Sequence, residues 1–403
     1  MAYSNRRIVV GFSTVIVVAF GSILYGFSVF VTDRAAGADF STTVLSLGIT
    51  GAGIASALVA RPLGRYMDAH GVRGVIVLGS ALACAGMVAF SFSTESWQVF
   101  AAWWVLIGPA TAAVYYEPSM VGIAGWIAPI SQPKAYGALT LIGGLAGAIF
   151  IPLTERLVSA FGWRPTAQIL GVAIFLTALI AGWLAIPGGT GAFGAHASPI
   201  PAGIRSLLAD RRFVYFTMAL LLAYLSVQGL VAHRVDRFTE AGFPLSVVAL
   251  WAGLASVISM PGRYVAPLLV GRIRATVMTG GVFGVLAIAI LVAIPGNSNV
   301  SMVGHFVLFG IAFGAITPLR AMVMTKWYAG SEYGEISGTQ SSVIFFVAAF
   351  GATVVGLARD LTGSYVPVLL VLTGAVGLAA LLTVAAGRAD DRLQEDRSMS
   401  NRS

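Results

Sequence analysis

Two charged residues stand inside long apolar runs and are the first places to look for chemistry. Glu117 lies in the run Tyr115-Tyr116-Glu117-Pro118, and Arg320 in Thr317-Pro318-Leu319-Arg320. A carboxyl shielded from water titrates near neutral pH, which makes Glu117 a candidate for taking up and releasing a proton. The guanidinium fork matches a carboxylate, which makes Arg320 a candidate for attracting an anion or for pairing with Glu117. Each has a proline beside it or two residues away, where backbone carbonyls are freed to face a cavity. The structural alternatives are a permanent ion pair and, for Arg320, a side chain that snorkels along the helix toward Lys326.

Other side chains add to this pair. His233 and Arg234 close an apolar run ahead of Asp236 and Arg237. A histidine there titrates in the physiological range and suits a proton relay, although such a cluster also describes a solvated helix end. Tyr25, Tyr115, Tyr116, Tyr224, Gln228 and Gln340 supply aromatic and amide groups for lining a cavity, and Tyr224 and Gln228, at i and i+4, share a helical face. Tyrosine and tryptophan also gather at membrane interfaces, and Trp97, Trp103, Trp104, Trp126 and Trp327 read as such belts. His70, His196 and His305 fall in or near expected loops and are too scattered for a metal site; no cofactor is expected. The lone Cys84 has no internal partner for a bridge. The apolar runs hold no nucleophile with its base, so an enzyme is not expected, and the Gly-x-x-x-x-Gly-Lys-Ser/Thr loop of nucleotide-driven pumps does not occur.

The elements that must position these groups are membrane helices. Of 403 residues, 58% are hydrophobic and 10% charged, where a water-soluble domain carries about a quarter charged. Twelve apolar segments, each long enough to cross a ~30 Å hydrocarbon core, fall near Ile8–Val31, Thr43–Leu63, Val75–Ser93, Val99–Ile123, Ala135–Val158, Thr166–Ile186, Phe213–Ala232, Val247–Val270, Val277–Ile294, Met302–Met324, Thr339–Leu357 and Val366–Ala386. The first reads as a retained helix behind Arg6 and Arg7. The net charge of +8 is spread over short loops, which argues against a nucleic-acid partner. Arg61, Arg65, Arg73, Lys134, Arg205, Arg211, Arg212, Arg272, Arg274 and Lys326 fall on one side with both termini, against Arg34, Arg156, Arg164, Arg234, Arg237 and Arg359 on the other. By the positive-inside rule both termini are cytoplasmic.

The chain also repeats itself. At an offset of about 202 residues Arg61 matches Arg263, Val105-Leu106-x-Gly108 matches Val307-Leu308-x-Gly310, and Pro165 matches Pro367. The expected organisation is an all-α integral membrane protein of two pseudo-symmetric six-helix bundles, 1–186 and 213–387, joined by a Gly-, Ala- and Pro-rich linker at 187–212 and followed by a tail at 388–403. Paired six-helix bundles with a site near mid-membrane are a common transporter architecture.

One loop motif carries a family resemblance. The run Gly64-Arg65-Tyr66-Met67-Asp68-Ala69-His70-Gly71-Val72-Arg73 resembles the Gly-x-x-x-Asp-basic-x-Gly-x-basic loop after the second helix of the major facilitator superfamily, with Ala69 standing where the family usually has a basic residue. Gly143-Gly144-Leu145-Ala146-Gly147 with Phe161-Gly162-Trp163-Arg164 is similar to the monocarboxylate and oxalate/formate branch. Gly334-Glu335-Ile336-Ser337-Gly338 and Asp360-Leu361-Thr362-Gly363-Ser364-Tyr365 resemble bacterial members. The resemblance implies that Gly64, Asp68 and Arg73 form a conformational latch. It also implies a monomeric, proton-coupled carrier of a small organic anion in the inner (plasma) membrane, working by alternating access. Carriers of that branch tend to have a basic residue in helix 8 and some have one in helix 1 or 11; here Val247–Met260, Val277–Ile294 and Thr339–Leu357 carry no charge, with Arg263 toward the cytoplasmic end of helix 8 the exception if it faces inward, so a proton-driven exporter of amphiphilic compounds is the alternative.

Overall fold

The computed structural model describes residues 4–31, 35–191, 204–330 and 332–400. His196, Arg34, Arg402 and the middle of the expected linker lie outside the described residues. Among the described residues, twelve helices are long and apolar enough to cross a membrane: α1 Asn5–Phe30, α2 Thr43–His70, α3 Val72–Ser91, α4 Ser96–Trp126, α5 Pro129–Phe161, α6 Trp163–Leu184, α7 Arg211–Glu240, α8 Ser246–Leu269, α9 Ala275–Ala293, α10 Asn299–Tyr328, α11 Tyr333–Thr362 and α12 Val366–Glu395. Helices are the only open-chain solution in lipid, because each satisfies its own backbone polar groups. No strand occurs among the described residues.

Several helices are longer than their apolar runs. α2 continues past Leu63 through the charged run to His70, where Gly71, at φ +81°, turns the chain directly into α3. α11 starts at Tyr333 rather than Thr339, which brings Glu335 and Ser337 onto a helix. Hydropathy misses these extensions because their polar side chains are held by protein partners.

The chain divides into two compact units, one of Met1–Pro199 with Met324–Phe346 and the other of Ile200–Val323 with Val347–Ser403. In the first unit, Phe27, Phe30, Phe90, Trp103, Ile107 and Leu170 form part of a buried cluster. Trp103 is therefore a core residue, not part of an interfacial belt, with its ring packed edge-on against Phe27 and Phe90. Trp327 is buried as well, whereas Trp97 and Trp104 are exposed. In the second unit, Phe238, Val248, Ala255, Ala293, Met302 and Phe306 form a separate cluster. Leu58, Trp183, Val371 and Leu381 are among the large apolar side chains left outside, as a lipid-facing surface requires.

The internal repeat has a packing cause. A Cβ on Gly108 would stand 2.8 Å from the Ala52 carbonyl oxygen, and one on Gly310 2.7 Å from that of Ala255. These matched glycines let α4 press on α2 and α10 on α8, each within its own unit.

Among the described residues four spanning helices depart from regular winding, α5 by an interruption between Gln132–Gly143 and Ala146–Phe161. α1 widens to π geometry over Phe20–Tyr25, and α4 does so over Ala101–Ile107. α4 then breaks at Tyr115, which is extended at φ −83° and ψ −155°, so that Glu117 falls in the first turn of a new helical segment. α11 is interrupted at 349–350. Replacement of Gly108 by Val is expected to cost about 1–3 kcal/mol through overpacking and to lower the melting temperature of the purified protein. Gly53→Ala, where a Cβ meets nothing within 4 Å, is expected to leave it within experimental error.

Candidate functional site

The charged run at the end of α2 meets the beginning of α11 inside the first unit. Asp68 Oδ1 accepts the Gly334 N–H at 2.7 Å, and Oδ2 accepts the Glu335 N–H at 2.7 Å. A helix N-terminus leaves its first amides without intrahelical partners and carries partial positive charge, so a carboxylate satisfies both demands. Close approach is needed for these bonds, and glycines provide it. A Cβ on Gly64 would collide with the Gly334 carbonyl oxygen, and one on Gly334 would stand 2.6 Å from that of Gly64.

Glu335, the third residue of α11, completes the arrangement. Glu335 Oε1 accepts Arg61 Nη2 at 2.8 Å and Arg65 Nη2 at 2.7 Å, and the Nε of each arginine lies 3.2 Å from a Glu335 oxygen. Arg61, Arg65 and Asp68 stand at i, i+4 and i+7, one face of α2. Arg65 remains mostly exposed, so its pair adds little stability, whereas Glu335 is largely enclosed. Arg73 lies at the start of α3, where its Nε donates to the Ile186 carbonyl at 2.8 Å and ties α3 to the chain leaving α6.

One and two turns further along α11, Ser337 and Ser341 reach Glu117. Ser337 Oγ donates to Glu117 Oε1, and Ser341 Oγ donates to Oε2 at 3.0 Å. Both serines are buried, as is Gln340 beside them. The break in α4 aims this carboxyl, and aromatic rings pack around the break. Tyr115 stacks on Phe20 with centroids 3.8 Å apart, and Tyr116 lies tilted against the same ring at 5.1 Å. The wide turn of α1 therefore brings Phe20 and Tyr25 to this region; Tyr25 packs over Gly147 of α5. A buried hydroxyl chain flanks it, with Tyr136 hydroxyl 2.9 Å from Thr325 Oγ1, which donates to the Tyr333 hydroxyl at 3.2 Å.

The remaining sequence candidates lie in the second unit. Arg320 is only 7% exposed, so its charge is enclosed by protein, while Lys326 further along α10 is exposed. The snorkelling alternative therefore does not describe Arg320. Tyr224 reaches Thr317, one turn before Arg320, with the two hydroxyls 3.5 Å apart. Gln228, one turn beyond Tyr224, is exposed. His233 is engaged at both ring nitrogens. Nε2 faces the Ala352 carbonyl at 2.9 Å and so carries the proton, and Nδ1 accepts from the Tyr365 hydroxyl at 3.3 Å. Those contacts tie α7 to α11 and to the residue preceding α12.

Several residues of the site escape sequence reasoning. Glu335, Ser337 and Ser341 fall before or at the edge of the eleventh apolar run, and Arg61 and Arg65 read as loop anchors. Their spacing holds a signal: Arg61, Arg65 and Asp68 repeat with helical period, as do Ser337 and Ser341. His305, expected near a loop, is instead fully buried on α10.

This fold and these motifs define a class. The model of the Major Facilitator Superfamily matches residues 8–352, and the chain belongs to that family of transporters; it is not an enzyme. Curated relatives include monocarboxylate transporter 13 of Rattus norvegicus, 27% identical over 359 residues that cover 85% of this chain and 80% of the relative. Monocarboxylate transporter 2 of the same animal is 25% identical, covering 84% and 72%. Among solved structures, the E. coli fucose:proton symporter FucP superposes with a TM-score of 0.76 at 12% identity, over 96% of this chain and 99% of that one. The human organic anion transporter MFSD10 gives 0.71 at 16% identity, over 94% and 99%. These superpositions bear on fold alone.

Removing the Asp68 carboxylate leaves two enclosed amides unpaired. Asp68→Ala is expected to cost about 1–3 kcal/mol per amide left unsatisfied. Asp68→Asn, which keeps one acceptor oxygen, is expected to cost less. Thermal unfolding of the purified variants in one detergent measures both.

Proposed function

We propose that this transporter carries a small organic anion of monocarboxylate type together with a proton, by alternating access between an N-terminal bundle at 1–186 and a C-terminal bundle at 213–387. The observation that carries the reading is the Glu117 carboxyl, set by a helix break inside an apolar helix and received by the Ser337 and Ser341 hydroxyls. Hydroxyls serve either protonation state: they donate to the carboxylate and accept from the acid. A charge at such depth is costly unless it works or is paired. The names of the curated relatives support the anion, and Arg320 is the enclosed cation suited to a carboxylate. Tyr25, Tyr115, Tyr116, Tyr224, Gln228 and Gln340 are assigned to the pathway lining, and His233 to the proton route near its mouth.

The Asp68 contact supplies the latch, with Gly64 allowing approach and Arg73 bracing the following helix. One helical stretch of α11, Tyr333–Ala348, receives both Asp68 at its first turn and Glu117 one and two turns later. A change in the charge of Glu117 therefore acts on the same element that the latch holds. The basic loops favour cytoplasmic termini in a plasma membrane, and a monomer suffices for this pathway.

Proteoliposome uptake of labelled monocarboxylates, dicarboxylates and lipophilic cations, with and without an inward proton gradient, tests the reading. Gradient-stimulated uptake of a carboxylate is expected. Activity confined to the lipophilic compounds would replace it with the exporter. Glu117→Gln is expected to abolish gradient-driven accumulation while substrate exchange persists. Unchanged accumulation would remove Glu117 from coupling. Arg320→Gln is expected to weaken apparent anion affinity at least tenfold, with the protein still folded.

A further inference from the structure

Gly147 of α5 lies directly under an aromatic ring of α1. A Cβ at this position would meet Tyr25 first, with Cε1 at 2.9 Å, Cζ at 3.0 Å and Cδ1 at 3.2 Å. All three atoms belong to the ring, so the absent side chain of Gly147 leaves a notch in which Tyr25 is seated. Gly143, four residues earlier, does the same for α4: a Cβ there would collide with the Tyr116 hydroxyl and stand 2.9 Å from Ile16 Cγ2.

The backbones on either side of the Tyr25 ring are locked together. Three residues beyond Gly147, on the same face of α5, Phe150 is buried against Gly21 of α1, where a Cβ would collide with the Phe150 ring. α1 and α5 therefore interlock both ways, a ring of each lying in a glycine notch of the other. Tyr25 ends the wide turn Phe20–Tyr25 that begins beside this lock. A side chain added at 147 is accommodated by rotation of the Tyr25 ring about its own torsions, which costs less than parting two close-packed helices.

The free side of that ring borders the region of Glu117. Phe20, Tyr25, Tyr115, Tyr116 and Glu117 are all half-buried. An ionisable side chain within a span faces protein or water rather than hydrocarbon, so the open space beside Glu117 is pathway and not lipid. Phe20 stacks on Tyr115, and Tyr25 lies within electrostatic reach of the same tyrosine. Displaced from α5, the Tyr25 ring moves toward this space and narrows it.

We propose that Gly147 sets the size of substrate accepted, by seating the Tyr25 ring against α5 and so keeping the pathway beside Glu117 wide. This role rests on the assignment of Tyr25 to the pathway lining, and Gly147 acts only through that ring, as a positioning residue. A methyl group at 147 takes room comparable to one methylene of substrate, and one methylene in an apolar pocket is worth about 10–200-fold in discrimination.

Uptake of two graded series by proteoliposomes of the full-length protein provides the test: acetate, butyrate and hexanoate, and tetramethyl-, tetraethyl- and tetrabutylammonium. The readout is the ratio of uptake of the largest member to the smallest. In Gly147→Ala the hexanoate to acetate ratio is expected to fall about tenfold, with acetate uptake retained. Tyr25→Ala alone is expected to raise the ratio. Combining Gly147→Ala with Tyr25→Ala is expected to recover it, because the added methyl then has no ring to displace. A purely structural defect lowers every member alike, so an unchanged ratio in Gly147→Ala, or a fall that Tyr25→Ala does not relieve, would overturn the role of Gly147. Should Gly147→Ala fail to fold, Tyr25→Ala decides: a raised ratio supports the role and an unchanged one refutes it. If the unaltered protein moves only the ammonium series, the anion reading fails by itself, and the same ratios taken on that series decide the role of Gly147.

Discussion

The Asp68 carboxylate bonded to the two amides that open α11 is the contact on which the arrangement of the first unit rests. It fixes where α11 begins, and a helix whose first turn is fixed presents every later side chain at a defined angle and height. Glu335 is thereby delivered to Arg61 and Arg65, and Ser337 and Ser341 to Glu117. Without that carboxylate the amides would face a largely enclosed space with nothing to accept them. The same contact explains why small residues sit at Gly64 and Gly334, where backbone meets backbone.

Two arrangements of charge stand out among the described residues. Around Glu335 it is paired in full, by two arginines whose forks converge on one carboxylate. At Glu117 the contacts include the neutral hydroxyls of Ser337 and Ser341, which tolerate a change of protonation. The first arrangement is suited to holding elements together, and the second accommodates either protonation state of a carboxyl.

Irregular winding is what joins these sites to the helices. The wide turn at Phe20–Tyr25 brings a ring against Tyr115, and the extended Tyr115 redirects α4 so that Glu117 opens a new segment. Wide turns of this kind are uncommon and gather at functional sites. The matched glycines at 108 and 310 do the reverse work, keeping α4 on α2 and α10 on α8 by close backbone approach in both halves.

Much of this is legible in the order of residues alone. Apolar length dictates twelve crossings, because lipid leaves the backbone no other partner than itself. The common offset of about 202 residues reveals two related halves, and the isolation of Glu117 and Arg320 in apolar runs marks them as enclosed charges. The loop motif around Asp68 points to a latch but not to what it grips. Hydropathy ends a helix where polar residues begin, so by that measure α2 finishes at Leu63 and α11 starts at Thr339. Packing in three dimensions makes these polar ends helical, since the Asp68 carboxylate and the α11 amides satisfy each other across 266 positions of sequence. Packing also puts Trp103 in the core and buries His305 beside Arg234 and Arg237. Burial and partnership are properties of neighbours brought together in space, and neither is written in local spacing.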